Sequence, residues 1–133
     1  MDCIFCKIVN GEIPSKKVYE DENVIAILDI SQATKGHTLV IPKKHIESIF
    51  DLDDQTGRDL FEAVIKTTNI LKNKLGFKDV NLLNNNGSLA GQVVNHYHIH
   101  IIPRYGNDEC YFKESPHEPN FEELASLRKQ ITE

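Results

Sequence analysis

Hydrophobic residues change their spacing several times along this chain, and each change marks a new kind of element. Ile4, Phe5, Ile8 and Ile13 are spaced for a short helix or turn packed on a domain. Lys17 to Asp21 reads as a short edge strand running into the polar turn Glu20 to Asn23. Val24 to Leu28 is a near-continuous apolar run of strand length, suited to a strand buried on both faces. Gly36 to Pro42 forms the next strand after a turn at Thr34 to Gly36, and Pro42 ends it because proline has no ladder donor. The short polar connection between these runs suits antiparallel neighbours.

From Asp53 the period becomes helical. Leu60, Phe61, Val64, Ile65, Thr68, Leu71 and Leu75 trace one long amphipathic helix, with Asp53 or Asp54 as N-cap and Gly76 as the stop. Its polar face, Arg58, Glu62, Lys66 and Lys72, reads as solvated surface. Val80 to Asn84 returns to strand spacing and enters a loop, Asn85 to Gln92, which delivers the chain into a strand from His96 to Ile102 closed by Pro103. Beyond Arg104 a loop with Pro116 and Pro119 precedes a last helix over Phe121 to Lys129. Several strands and one dominant helix in 133 residues predict a single domain spanning 1–133.

Composition narrows the function. The formal charge is −5, from 15 Lys and Arg against 20 Asp and Glu. That balance argues against a general nucleic-acid binder, which needs clustered cations for phosphate. No apolar run reaches the roughly 20 residues of a membrane span. Nothing at the N-terminus resembles a signal peptide, and Asp2 stands where a basic segment would. Three cysteines do not make a secreted disulfide framework, so a reducing cytoplasm is the expected compartment.

Chemistry concentrates in the last strand. His96, His98 and His100 alternate with Tyr97, Ile99 and Ile101. In a strand, alternate residues share a face, so three imidazoles would stand about 7 Å apart while the apolar set enters the core. Histidine serves near neutral pH as base, nucleophile or metal ligand. A merely solvated polar face would not call for imidazole three times.

Other candidates carry open alternatives. Cys3 and Cys6 form a Cys-x-x-Cys pair. No strand precedes it, which favours half of a zinc site over a redox couple, with two buried free thiols the plain structural alternative. Asp29 closes a buried strand, a position shared by functional-edge and turn-capping residues. The loop with Gly87 and Gly91 can bring backbone amides to an anion, but it lacks the Gly-Lys-Ser/Thr ending of a nucleotide P-loop. His37 is equally readable as a supporting group near the triad or as an ordinary strand histidine.

Taken together, these residues resemble the histidine-triad (HIT) family of nucleotide hydrolases and transferases. The resemblance rests on His96-Tyr97-His98-Ile99-His100-Ile101-Ile102, on Asp29-Ile30-Ser31, on Gly36 to His45 and on Gly91-Gln92. It runs from Cys3 to Arg104 and leaves the tail, 105–133, without support. It implies an α+β fold, an antiparallel sheet of about five strands with one long helix and short terminal helices, assembled as a homodimer with joined sheets.

The resemblance also implies roles. His98 matches the nucleophile, attacking the α-phosphate of a purine nucleotide derivative (of AMP or GMP) to form a nucleotidyl-histidine, its Nδ1 held by a backbone carbonyl. His100 would donate to a phosphate oxygen. Asn85, Gly91, the Gln92 side chain and Val93 belong to the phosphate or leaving-group side. Asp29 would take the ribose hydroxyls, Ile30 would flank the base, and His37 would support the triad. Zinc-bearing members match at Cys3, Cys6, His45 and His96, which implies a closed structural zinc site tying the zinc-binding 1–12 segment to the histidine strand, and no organic cofactor. Zinc would then be dispensable for turnover and ligand binding.

Two departures bear on the substrate. Val93 stands where phosphoramidase-type members carry Ser or Thr able to hydrogen-bond the leaving group, so a backbone amide or His100 would have to serve there. Asn85 stands where dinucleoside polyphosphate hydrolases tend to have Gln, which favours the Hint-like branch and nucleoside phosphoramidates. A dinucleoside polyphosphate hydrolase and a nucleotide-binding module with weak turnover are the alternatives. A purely metal-binding protein would leave His98 and His100 without a use.

Overall fold

The computed structural model describes residues 3–108 and 110–133. Met1 and Asp2, at the head of the expected 1–12 metal-binding segment, and Glu109 in the tail lie outside the described residues. In chain order the elements are α1 (Ile4–Val9), β1 (Lys17–Glu20), β2 (Val24–Leu28), β3 (Thr38–Pro42), α2 (Asp54–Leu75), β4 (Asp79–Leu83), β5 (Ile99–Arg104) and α3 (Phe121–Thr132), with single 3-10 turns at Ile49–Asp51 and Ser88–Ala90. The strands form one sheet in the order β1-β2-β3-β5-β4, each neighbouring pair antiparallel. No helix among the described residues is long and apolar enough to cross a membrane.

The unbroken apolar run of β2 has a direct cause: the sheet is covered on both faces. Val24, Ala26 and Val40 point to one side and pack with Leu60, Ala63, Val64 and Leu71 of α2. Ile25, Ile27, Leu39 and Ile41 point to the other and meet Phe5 and Ile8 of α1. Asp53 caps α2, its carboxylate accepting from the Thr56 N–H at 2.8 Å, and Gly76 ends the helix in the left-handed region. The buried stripe of α2 is narrower than its hydrophobic spacing predicts. Phe61 remains 56% exposed and Ile65 50%, because the sheet meets only the face carrying Leu60, Ala63, Val64, Thr67 and Leu71.

Strand ends also shift, for local reasons. β1 stops at Glu20 because the Asp21 carboxylate turns back to accept from the Asn23 and Val24 amides, both at 2.8 Å. Gly36 lies outside β3 with φ of +95°, and a Cβ there would sit 2.6 Å from the Leu75 side chain. The largest difference is at the histidines. The regular strand begins only at Ile99, where pairing to Val40 starts, so His96 and His98 lie in the segment leading into it. The expected alternation still holds, with Tyr97, Ile99 and Ile101 in the α2-side core.

Candidate active site

The three histidines divide between two neighbouring centres. His96 is fully buried, and its Nε2 lies 2.8 Å from the carbonyl oxygen of Pro42. A carbonyl only accepts, so Nε2 carries the proton and Nδ1 presents a bare lone pair. That lone pair faces Cys3 Sγ at 3.3 Å, Cys6 Sγ at 3.5 Å and His45 Nδ1 at 3.2 Å, and Cys6 Sγ lies 3.3 Å from His45 Nδ1. Tetrahedral zinc, with Zn–N about 2.0–2.1 Å and Zn–S about 2.3 Å, places neighbouring donors about 3.3–3.8 Å apart. The four donors sit close to that spacing, so Cys3, Cys6, His45 and His96 form a cluster that could hold a metal ion. The Pro42 carbonyl supplies the outer contact that fixes a metal-binding imidazole in one tautomer.

His98 turns to a different space. Its Nδ1 lies 2.8 Å from the His96 carbonyl oxygen and donates to it, which leaves the Nε2 lone pair free. Asn84, having left β4, donates its side-chain N–H to the His98 carbonyl at 2.9 Å and steadies the same backbone from the other side. His98 and His100 rings lie 5.0 Å apart, and both line a pocket of about 540 Å³. Burial holds His98 below the ordinary histidine pKa. His100 is pushed down to about 4, first by burial and then by neighbouring His98 and His37. Both rings are therefore neutral at physiological pH.

The tautomer of His100 follows from a chain of partners. The Ala33 N–H donates to His37 Nδ1 at 3.1 Å, so the His37 proton is on Nε2. That proton points to His100 Nδ1, 2.9 Å away, and the second His100 proton position is then Nε2. His37 thus belongs to the site through His100. Asp29, His37 and His100 also bring three ligand atoms close together. A metal there would have to displace the His37 Nε2 proton while Ala33 blocks Nδ1, forcing an anionic ring, so the group is a hydrogen-bonded array.

Asp29 caps the turn and also borders the pocket. One carboxylate oxygen accepts from the Ser31 N–H at 2.7 Å and shapes the turn, while the other lies 3.5 Å from His37 Nε2 at the pocket wall. Ile30, 100% exposed, stands at the open side of the pocket. Asn85, Gly91 and Val93 line it as well. The Gln92 side chain does not reach toward it, contrary to expectation. Its oxygen accepts from the Gly87 N–H at 2.8 Å and its amino group donates to the carbonyls of Glu47 and Val94, so it staples the loop. The amides of Ala90, Gly91 and Gln92 are likewise bonded within the loop. The amide of Val93 has no partner among the described residues.

Sequence reasoning missed the apolar wall of this pocket. Ile4, Phe5 and Ile8 of α1 and Leu39 of β3 line it beside His98. Their spacing announced burial, but nothing in it could say that the covered surface includes a cavity.

Comparison with known proteins agrees with this geometry. The HIT domain family model matches residues 10–107. The chain is 56% identical over 110 residues to Protein hit of Bacillus subtilis, across 83% of this chain and 76% of that protein. It is 40% identical over 133 residues to adenosine 5'-monophosphoramidase hnt1 of Schizosaccharomyces pombe, across 99% of this chain and 97% of that one. It is also similar to the crystal structure of a HIT family member from Bacillus subtilis, with 49% identity, a TM-score of 0.94, and coverage of 98% of this chain and 95% of that chain.

Proposed function

This chain belongs to the HIT family, and from that premise we propose that it is a nucleotidyl hydrolase acting at the α-phosphate of nucleoside phosphoramidates and related adenylated adducts. The observation that carries the reading is the orientation of His98: Nδ1 is occupied by the His96 carbonyl, and the ring lines a pocket with Nε2 unprotonated. A neutral imidazole in that state is a nucleophile for phosphorus. The His98 Nε2–P bond forms as the bond from phosphorus to the leaving nitrogen breaks, and the electron pair goes to that nitrogen. The positive charge left on the ring is met by the His96 carbonyl. Water then attacks phosphorus, the His98–P bond breaks with its electron pair returning to Nε2, the proton shed by the water passes to solvent, and the nucleoside monophosphate leaves.

His100 contributes as a hydrogen-bond donor. Its Nε2–H, set by His37 and Ala33, meets a phosphoryl oxygen as negative charge gathers there. Giving up that proton would leave a buried anionic ring, and the Val93 side chain has none to give. The leaving nitrogen therefore takes its proton from water at the open side of the pocket, and the Val93 amide serves the phosphate. Asp29 takes the ribose hydroxyls, and the base lies against the apolar wall beyond it, near Ile30.

In the same reading the four-donor cluster holds a structural zinc ion. With two sulfurs and two nitrogens it leaves no coordination position for water, so bound zinc supplies folding energy and not a hydroxide. A second copy of the chain covers the edge strand β4, where Val80 and Leu82 are exposed, together with Phe61 and Ile65 of α2. The cytoplasm is the compartment proposed.

The test is chemical. An adenylated amine mixed with the protein and quenched in base should leave a covalent nucleotide adduct in the wild type and none in His98→Ala. Tight nucleotide binding with no adduct in either protein would instead support a binding module.

A further inference from the structure

We propose that α1 is a wall shared by the metal cluster and the nucleotide pocket, with Phe5 as the positioning residue that couples them, so that metal occupancy sets nucleotide affinity. The inference rests on the nucleotide reading above and extends it to regulation of that same site.

Helix α1 has only six residues, far too few to hold its shape alone. Two things hold it. Phe5 and Ile8 pack against Ile25, Ile27, Leu39 and Ile41 of the sheet, and Cys3 and Cys6 converge with His45 and His96. Cys3 is also the helix N-cap, its sulfur accepting the Cys6 amide at 3.4 Å. Between these two cysteines sits Phe5. Its ring is edge-on to His96, with centroids 5.9 Å apart, and edge-on to His98 at 5.1 Å. Together with Ile4 and Ile8 it lines the pocket.

A metal ion bound to Cys3 and Cys6 therefore fixes the backbone on both sides of Phe5. It fixes His96 as well, whose carbonyl orients His98. Releasing it leaves a short helix tethered only by the apolar packing of Phe5, Ile8 and Val9, and both the pocket wall and the His98 ring lose a rigid neighbour. Binding free energies are reciprocal, so a nucleotide that favours the ordered wall must tighten the metal by the same factor. This differs from the expectation drawn from the sequence, in which ligand binding is independent of zinc.

The experiment titrates AMP into the full-length protein, zinc-loaded and chelator-stripped, with circular dichroism to verify folding. The expected result is about ten-fold weaker AMP binding by the stripped protein, within the usual range of coupling between sites. Saturating AMP should slow zinc transfer to a chromogenic chelator, a readout that does not require the stripped form to fold. His45→Ala removes a ligand without touching the pocket lining and should mimic stripping. Phe5→Leu keeps the wall apolar but removes the ring edge, and should shrink the loaded-to-stripped affinity ratio toward one. Equal AMP affinity in the loaded and stripped proteins, or zinc release unaffected by AMP, would overturn the coupling alone. Failure to take up one zinc per chain would overturn it as well. No AMP binding by the loaded protein would overturn the nucleotide reading and the coupling together.

Discussion

The imidazole of His98 donates its Nδ1 proton to the carbonyl of His96 across 2.8 Å, while the side chain of that same His96 turns away to face Cys3 Sγ at 3.3 Å. One residue thus orients the candidate nucleophile through its backbone and completes the metal cluster through its ring. Of the three alternating histidines, His98 and His100 line the pocket, and the ring of His96 lies in the cluster that could hold a metal ion.

His98→Asn removes the free Nε2 while keeping a polar side chain. Turnover of an adenylated amine should fall about a thousand-fold or more, with AMP affinity within about ten-fold of wild type. Steady-state kinetics and equilibrium binding on the same preparation measure both.

In the proposed mechanism His37 acts through His100 and not on substrate. His37→Phe removes the donor to His100 Nδ1 and lets the ring adopt the wrong tautomer, so kcat should fall about 10–100-fold with little change in KM. His37→Asn, whose side-chain N–H can still donate, should recover part of the loss. Identical defects in the two variants would count against the tautomer argument.

Acid should destabilise the fold through His100. Its folded pKa, about 4, lies below the ordinary histidine value, so the unfolded chain binds the proton more readily. The stabilisation is fully present above about pH 6.5 and is lost as pH falls toward 4, by no more than about 3 kcal/mol because the ring is partly solvated. Urea unfolding of wild type against His100→Gln across this window isolates it. The gap should narrow on acidification and stay constant above neutrality.

Leu60 is almost fully buried between α2 and the sheet. Leu60→Ala should cost about 2–5 kcal/mol by lost burial and the cavity it leaves. Denaturant melts would register this without any change in the AMP affinity of the folded fraction.

Phe61 sits one residue along the same helix and faces outward. Phe61→Glu should leave the chain folded but shift it from dimer to monomer in sedimentation velocity, since an added charge opposes association at the proposed contact. A wild-type protein that sediments as a monomer would remove the dimer from the reading.

Much of this protein is determined by local pattern. The helical spacing from Leu60 to Leu75, the Asp53 cap, the Gly76 stop and the apolar runs of β2 and β3 each follow from short-range sterics and burial, so those elements are legible from the chain alone. The alternating His96, His98 and His100 likewise mark out candidate chemistry, whereas Cys3 and Cys6 leave alternatives open and His45 is singled out only by the family resemblance. What only the tertiary structure decided is how these groups meet. Whether Phe61 is core or surface depends on which face of α2 the sheet covers. Whether Gln92 reaches a ligand or staples its own loop depends on the carbonyls of Glu47 and Val94 lying within its range. The protonation of His37 and His100 depends on the Ala33 amide, a backbone group that carries no residue signature. Hydrogen bonds are directional and close only between groups the whole fold has already brought within 3 Å or so, whereas hydrophobic period is written residue by residue.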